Sequence, residues 1–282
     1  MSERHQVTAV AIRAARSAGR LALQGFRSTS LDTTTKSDMH DLVTEYDGAC
    51  ESRIIESILA AYPDATVVAE EGGGVVGSGD LTWFVDPIDG TSNYARGIAM
   101  WAVSIGVARQ GELICGVIFD PANEQLFWAD DRGAFLVDDR SGGQRPLASA
   151  GHPDPRAAVV ALNFPLARDL VHYPRLALDQ FAEVTRTFSQ VRNLGSTCIA
   201  LAWIAAGWLD ATVSFETNPW DVAAGCYLIR QAGGVFYGYR DGSTVSPRAA
   251  HLAPHYYAAC RDGEYLLLHE ISRTQSLRPT VS

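Results

Sequence analysis

An apolar, β-rich run, Leu81-Thr82-Trp83-Phe84-Val85, leads straight into Asp86-Pro87-Ile88-Asp89-Gly90-Thr91-Ser92-Asn93-Tyr94. A strand that ends this way fixes where a site must lie, because it delivers two carboxylates, Asp86 and Asp89, to one turn. Pro87 has no N–H to donate and is expected to stop the ladder. Gly90 permits a close bend, and Thr91-Ser92-Asn93 reads as the exposed start of a short helix. Clustered carboxylates repel one another and hold their protons more tightly unless a cation neutralises them. Oxygen ligands of this kind suit a hard divalent cation such as Mg2+. The free N–H groups of a helix start favour a phosphate beside it. Together these features point to phosphoryl transfer. On this stretch alone, a surface turn rich in Asp and Gly is the plain alternative.

Upstream, Val7, Val10, Ala11, Ala14, Ala18, Leu21 and Ala22 recur at helical spacing, predicting a helix over 7–26. A second amphipathic helix fits 44–61, closed by Tyr62-Pro63-Asp64. Strands are expected at 66–69, 81–85, 100–109, 112–119, 124–129 and 134–137, with a hairpin at Gln110-Gly111. Helices followed by sequential strands predict an α+β first half with an antiparallel sheet. From 138 to 156 the chain turns to Gly, Ser, Pro and charge, which marks a boundary between an N-terminal half, 1–145, and a C-terminal half, 146–282. Beyond it, strands at 157–164, 211–215, 235–239 and 256–260 alternate with helices at 176–188, 197–206 and 222–232. That alternation implies a sheet covered by helices.

The formal net charge of −9 argues against nucleic acid as the main partner, since nucleic-acid binders carry a basic patch. An acidic chain that binds a phosphate needs local positive charge, and a bound metal is the simplest source. The five cysteines are scattered without a C-x-x-C pair and read as reduced, buried, structural thiols. No apolar run reaches the roughly 20 residues that span a bilayer, and the N-terminus lacks the form of a signal peptide. A soluble cytoplasmic protein with no membrane partner is therefore expected. The histidines show no H-E-x-x-H spacing, and there is no G-x-S-x-G elbow or Walker loop. Gly72-Gly73-Gly74 reads as a mobile loop beside the metal site.

Asp86 to Thr91, taken with Glu70-Glu71 and Trp220-Asp221, resembles the inositol monophosphatase family of magnesium-dependent, lithium-sensitive phosphatases. Further segments agree in order: Lys36-Ser37-Asp38, Asp41 to Thr44 with Asp47, Val68 to Glu71, Gly195-Ser196 with Ala205 to Gly207 and Asp210, and Pro219 to Gly225. The resemblance covers about residues 7 to 262. It implies a layered αβαβα sandwich, as in the inositol monophosphatase and fructose-1,6-bisphosphatase fold, a phosphomonoesterase activity using two or three Mg2+ ions, lithium inhibition and a homodimer. It also implies roles. Glu70, Asp86 and the Ile88 carbonyl would hold a first metal, and Asp86, Asp89 and Asp221 a second. Glu70 and Thr91 would activate a water, and Gly90, Thr91 and Ser92 would contact the phosphate. Lys36 and Asp47 would orient water or a weak third metal. Taken singly, Glu70 could be a solvated strand end and Asp221 or Thr91 a helix cap. The joint agreement of the carboxylate positions favours the functional reading.

On the substrate side, the resemblance implies that Gly195, Ser196 and Thr197 face a polyol ring, with Asp89 and Asp221 close to it. Many inositol-preferring members place a glutamate seven residues before the last metal-binding aspartate. That position is Ser214 here, with Glu216 two residues on. In a continuing strand both would share a face, and Glu216 would reach the substrate. The expected substrate is a small sugar or polyol phosphate, inositol monophosphate first. Fructose-1,6-bisphosphatase or histidinol-phosphatase activity, or a non-catalytic sugar-phosphate-binding regulator, are the alternatives.

Overall fold

The computed structural model describes residues 3–28, 33–35 and 42–278. The chain opens with α1 (Glu3–Gly25), the short pair β1 (Thr33–Thr35) and β2 (Leu42–Thr44), and α2 (Glu45–Ala61). A seven-stranded sheet follows in sequence order: β3 (Thr66–Ala69), β4 (Leu81–Asp89), β5 (Ala102–Arg109), β6 (Glu112–Asp120), β7 (Gln125–Asp130), β8 (Gly133–Asp138) and β9 (Gly143–Pro146), with α3 (Thr91–Ala95) between β4 and β5. All neighbours pair antiparallel except β3 and β4, which run parallel.

The second part comprises β10 (Val159–Leu162), α4 (Ala167–His172), α5 (Pro174–Thr187), β11 (Gln190–Arg192), α6 (Thr197–Ala205), β12 (Ala211–Phe215), α7 (Pro219–Gln231), β13 (Val235–Arg240), β14 (Ser243–Thr244), β15 (His255–Ala259) and α8 (Leu266–Gln275). Its six strands lie in the order β11-β10-β12-β15-β13-β14. The first three run parallel and the rest antiparallel.

Hydrophobic periodicity explains the layering. Ala11, Ala14 and Ala18 of α1 and Ile54 and Ile58 of α2 pack on the Trp83 and Val85 face of the first sheet. The opposite face, with Phe84, Ile118 and Phe127, packs on α6 and α7, which also meet Phe236, Tyr256 and Ala258 of the second sheet. The outer face of that sheet, with Val160, Val213 and Tyr257, is covered by α5 and α8 through Val184, Leu268 and Ile271. The result is an αβαβα sandwich. Both faces of β4 are covered, which is why its sequence is nearly unbroken in apolar residues. The helix α6 is apolar all round because it lies between two sheets.

Two expectations are corrected. Pro87 does not end β4, which continues to Asp89. Asp86 pairs with Ser104 and Asp89 with Ala102, so Pro87 and Ile88 oppose the single residue Val103. This bulge removes the need for a proline N–H. The Gly72–Gly74 segment, expected as a mobile loop beside the metal site, is tied to α2 at Gly73. The buried Glu51 carboxylate of α2 accepts from Glu71 N at 2.6 Å and Gly73 N at 2.8 Å. All five cysteines are free and buried, as expected. No helix among the described residues is long and apolar enough to cross a membrane.

The helix α7 lies unusually close to the first sheet. A Cβ built on Gly106 would sit 2.6 Å from the Ala223 Cβ, and one on Gly116 would sit 2.4 Å from the Ala224 carbonyl oxygen. Gly116→Ala is expected to destabilise the protein by about 1–3 kcal/mol, because backbone rather than a flexible side chain must yield. Thermal denaturation measures this, and an unchanged melting temperature would show that the helix can shift at no cost.

Candidate metal centre

Three elements carry carboxylates to one place. The parallel β3–β4 pairing sets Ala69 beside Val85, and Glu70 N donates to Val85 O at 3.3 Å, so Glu70 emerges next to Asp86. The bulge at the end of β4 supplies Asp86 and Asp89, and Asp86 Oδ1 accepts from Ile88 N at 3.0 Å. Asp221 sits in the first turn of α7, in a capping box where its carboxylate accepts from Asn218 N at 2.7 Å. Gly90 takes φ +91°, and a Cβ there would meet Met100 O at 3.0 Å and Gly195 O at 3.1 Å. Only glycine suits both the conformation and the space.

Asp89 is held by α6. Its carboxylate accepts from Thr197 N at 3.1 Å and Cys198 N at 2.9 Å, and from the Ser196 hydroxyl. Ser196 also caps α6 by accepting from Ile199 N at 3.1 Å. The positive end of the helix thus faces a carboxylate. The Ser196 hydroxyl, expected at the substrate, is engaged with Asp89. Thr91 Oγ1 lies 3.0 Å from Ile88 O and 3.3 Å from Asp47 Oδ1. Asp47 is itself held in a capping box by Thr44, whose N and Oγ1 donate at 2.8 and 2.5 Å.

Burial is the first cause of the electrostatics. It holds the Asp86 proton far more tightly than usual, reinforced by the charges of Glu70, Asp89 and Asp221 and by a hydrogen bond with Glu70. Burial pushes Asp89 up to about 6 in spite of its donors. It pushes Asp221 up to about 7 and Asp47 up to about 6, in both cases against opposing backbone hydrogen bonds. A cluster of hard oxygen donors that keeps its protons for want of positive charge fits a hard divalent cation. Cys198 Sγ is within 4.8 Å of an oxygen of both Asp86 and Asp89. Burial keeps that thiol protonated, and it donates to Asp221 O at 3.2 Å, so it is a neighbour of the donor set and not part of it.

These groups open into a cavity of about 520 Å³. Glu70, Asp86, Ile88, Asp89, Gly90, Thr91, Ser92, Gly195, Ser196, Thr197 and Asp221 all line it. Asp47 backs it behind Thr91. Lys36 lies outside the described residues. Glu216 does not line the cavity. Its φ of +59° turns the chain out of β12 after Phe215, so it does not share the face of Ser214. Its carboxylate pairs with Arg168 at 3.0 Å instead. Asn163, Arg168, Asn193, Thr212 and Tyr256 line the cavity without having been foreseen. The available signal was topological, since parallel strands such as β10 and β12 gather ligands beyond their carboxyl ends.

The fold and this site define a class: an αβαβα sandwich with a carboxylate-walled cavity where its two sheets meet the central helices. A sequence model of the inositol monophosphatase family matches residues 3–270. The Nus factor SuhB of Pseudomonas aeruginosa is 35% identical over 230 residues, covering 80% of this chain and 83% of that protein. The extragenic suppressor protein suhB from Bartonella henselae superposes with a TM-score of 0.80 at 27% identity, over 98% of this chain and 100% of that one. The inositol monophosphatase from Anabaena (Nostoc) sp. gives a TM-score of 0.75 at 27% identity, over 97% and 96%. This chain belongs to the inositol monophosphatase family.

Proposed function

We propose that this protein is a Mg2+-dependent phosphomonoesterase acting on a small sugar or polyol phosphate, with inositol 1-phosphate as the reference substrate. The observation that carries the reading is the convergence of Glu70, Asp86, Asp89 and Asp221 from β3, β4 and α7 on one cavity, with raised proton affinities at the three aspartates. Glu70, Asp86, Asp89, Asp221 and the Ile88 carbonyl are the groups that would hold the cations. Bound Mg2+ supplies neutralising charge and lowers the pKa of a coordinated water toward about 7.

The chain's own contributions follow from its hydrogen bonds. The Thr91 hydroxyl, fixed between Ile88 O and Asp47, is placed to orient a water in the cavity. Asp47, pushed up to about 6, can take a proton near neutral pH. The backbone from Gly90 to Ser92 forms the wall against which a phosphate would rest. Through Thr197 N and Cys198 N, α6 fixes the Asp89 carboxylate before any ligand arrives. The same reading includes lithium inhibition, a cytoplasmic location and a homodimer. The name Nus factor belongs to the relative and suggests a partner-binding role there. A binding module would not need the whole acid set, and its completeness here favours hydrolysis.

Phosphate release should be measured with and without Mg2+ on inositol 1-phosphate, fructose 1,6-bisphosphate, histidinol phosphate and adenosine 3′,5′-bisphosphate. The expected result is Mg2+-dependent release from a sugar or polyol ester, suppressed by EDTA. Folded, cation-loaded protein that releases phosphate from none of them would overturn the proposal.

A further inference from the structure

We propose that Arg168 makes the cavity selective for phosphate monoesters that carry a second anionic group, a second phosphate or a carboxylate, away from the bond that is cleaved. This inference rests on the phosphatase reading and deepens it.

Arg168 is the one cationic side chain among the described residues lining the cavity that also holds the carboxylates. It comes from the start of α4, just after the Phe164-Pro165 turn, on the second sheet's side of the cavity, whereas Glu70, Asp86 and Asp89 come from the first sheet. At about 520 Å³ the cavity leaves room for a substrate to extend from the acid cluster toward this wall.

The local backbone sets the partner that Arg168 keeps. The left-handed conformation at Glu216 takes its carboxylate off the Ser214 face and onto Arg168, at 3.0 Å from Nη1. A guanidinium has five N–H donors in a planar fork, and this pairing leaves most of them free among the described residues. The side chain remains 43% exposed. Exposed ion pairs contribute little to stability, so a purely structural role leaves its place on the cavity wall unexplained. Among the residues lining the same cavity, Ser214 is 2% exposed, and its buried hydroxyl has no hydrogen-bond partner among the described residues. A buried hydroxyl left unpaired is costly unless a ligand reaches it.

A neutral polyol ring is matched best by acceptors such as carboxylates. Along with the Asn163 and Asn193 amides and the Thr212 and Tyr256 side chains, the cavity lining here includes a cation, while the Glu216 carboxylate lies off the cavity. In a chain of net charge −9, a cation among the residues lining the cavity matches an anionic substituent.

The test compares kcat and KM of the wild type, Arg168→Gln and Arg168→Lys in Mg2+. The esters are glycerol 2-phosphate (neutral remainder), fructose 1,6-bisphosphate (second phosphate) and 3-phosphoglycerate (carboxylate). The wild type should prefer at least one doubly anionic ester by about tenfold or more in kcat/KM, the effect of one charge-assisted contact. Arg168→Gln should erase that preference through KM, and Arg168→Lys should keep part of it. The two anionic arms distinguish phosphate from carboxylate. An equal preference in wild type and Arg168→Gln, with both proteins folded by melting curve, overturns the inference while the phosphatase reading stands. If no ester is hydrolysed, the same compounds are compared by the rise in melting temperature they cause. A rise confined to doubly anionic esters and lost in Arg168→Gln keeps the inference and removes the phosphatase reading, whereas no such dependence removes both.

Discussion

Asp86→Asn should lower phosphate release on the order of a thousandfold, the upper range for loss of one preorganised charge-stabilising group, and should raise the melting temperature of the cation-free protein. Both effects have one cause. Asp86 is buried against Glu70, Asp89 and Asp221, so its charge is costly in the folded state until a cation is present. The amide keeps an oxygen that can accept from Ile88 N, so the bulge should persist. It removes a charge that several neighbours repel. Steady-state phosphate release and melting curves in EDTA check the two halves. A variant that keeps near wild-type turnover would show that Asp86 holds no essential cation. Unchanged turnover in Asp221→Asn would carry the same message for α7.

The second large effect is the pH dependence of cation binding. The folded-state proton affinities of Asp89 and Asp221 are raised to about 6 and about 7 from a reference of 3.8. At these two groups the folded protein therefore binds more protons than the unfolded chain between about pH 4 and 7, and without a cation their contribution to stability falls as pH rises through that window. A divalent cation displaces those protons, so its stabilisation grows over the same interval. Saturating Mg2+ should add little to the melting temperature near pH 5 and several degrees near pH 8. At about a hundred times the dissociation constant the linkage gives roughly 2.7 kcal/mol. A Mg2+ increment that is flat or falling with pH would mean that these carboxylates are not the ones that bind it.

Much of the fold was legible because burial leaves a periodic trace. The alanine stripe of α1 and the unbroken apolar runs of β4, β5 and α6 each reflect which sides are covered. The helix α8 carries such a trace in Leu268 and Ile271 and was still missed, whereas other elements that escaped reading lack one. The six residues of α4 expose Leu170 and Val171, and β11 is a three-residue edge strand. The bulge at Pro87 was missed because proline normally signals an end, and only the partner strand reveals that the ladder resumes. Glu216 turned on a single backbone angle that no local pattern announces. The clasp of Asp89 by Ser196, Thr197 and Cys198 joins residues more than a hundred positions apart, and Arg168 meets Glu216 from a different element of the second part. Spacing rules stop at the length of one element, so contacts of this kind emerge only once the layers are assembled.

The contact of α7 with Gly106 and Gly116 sets a dimension as well as a packing. Where main chain rests directly on main chain, the gap between Asp221 and the aspartates of β4 is gauged by atomic radii rather than by side chains that mutation can resize. Repacking elsewhere in the core can then drift without altering the span that two charges must share. The carboxylates can be exchanged for chemistry, but the ruler that spaces them is the backbone itself.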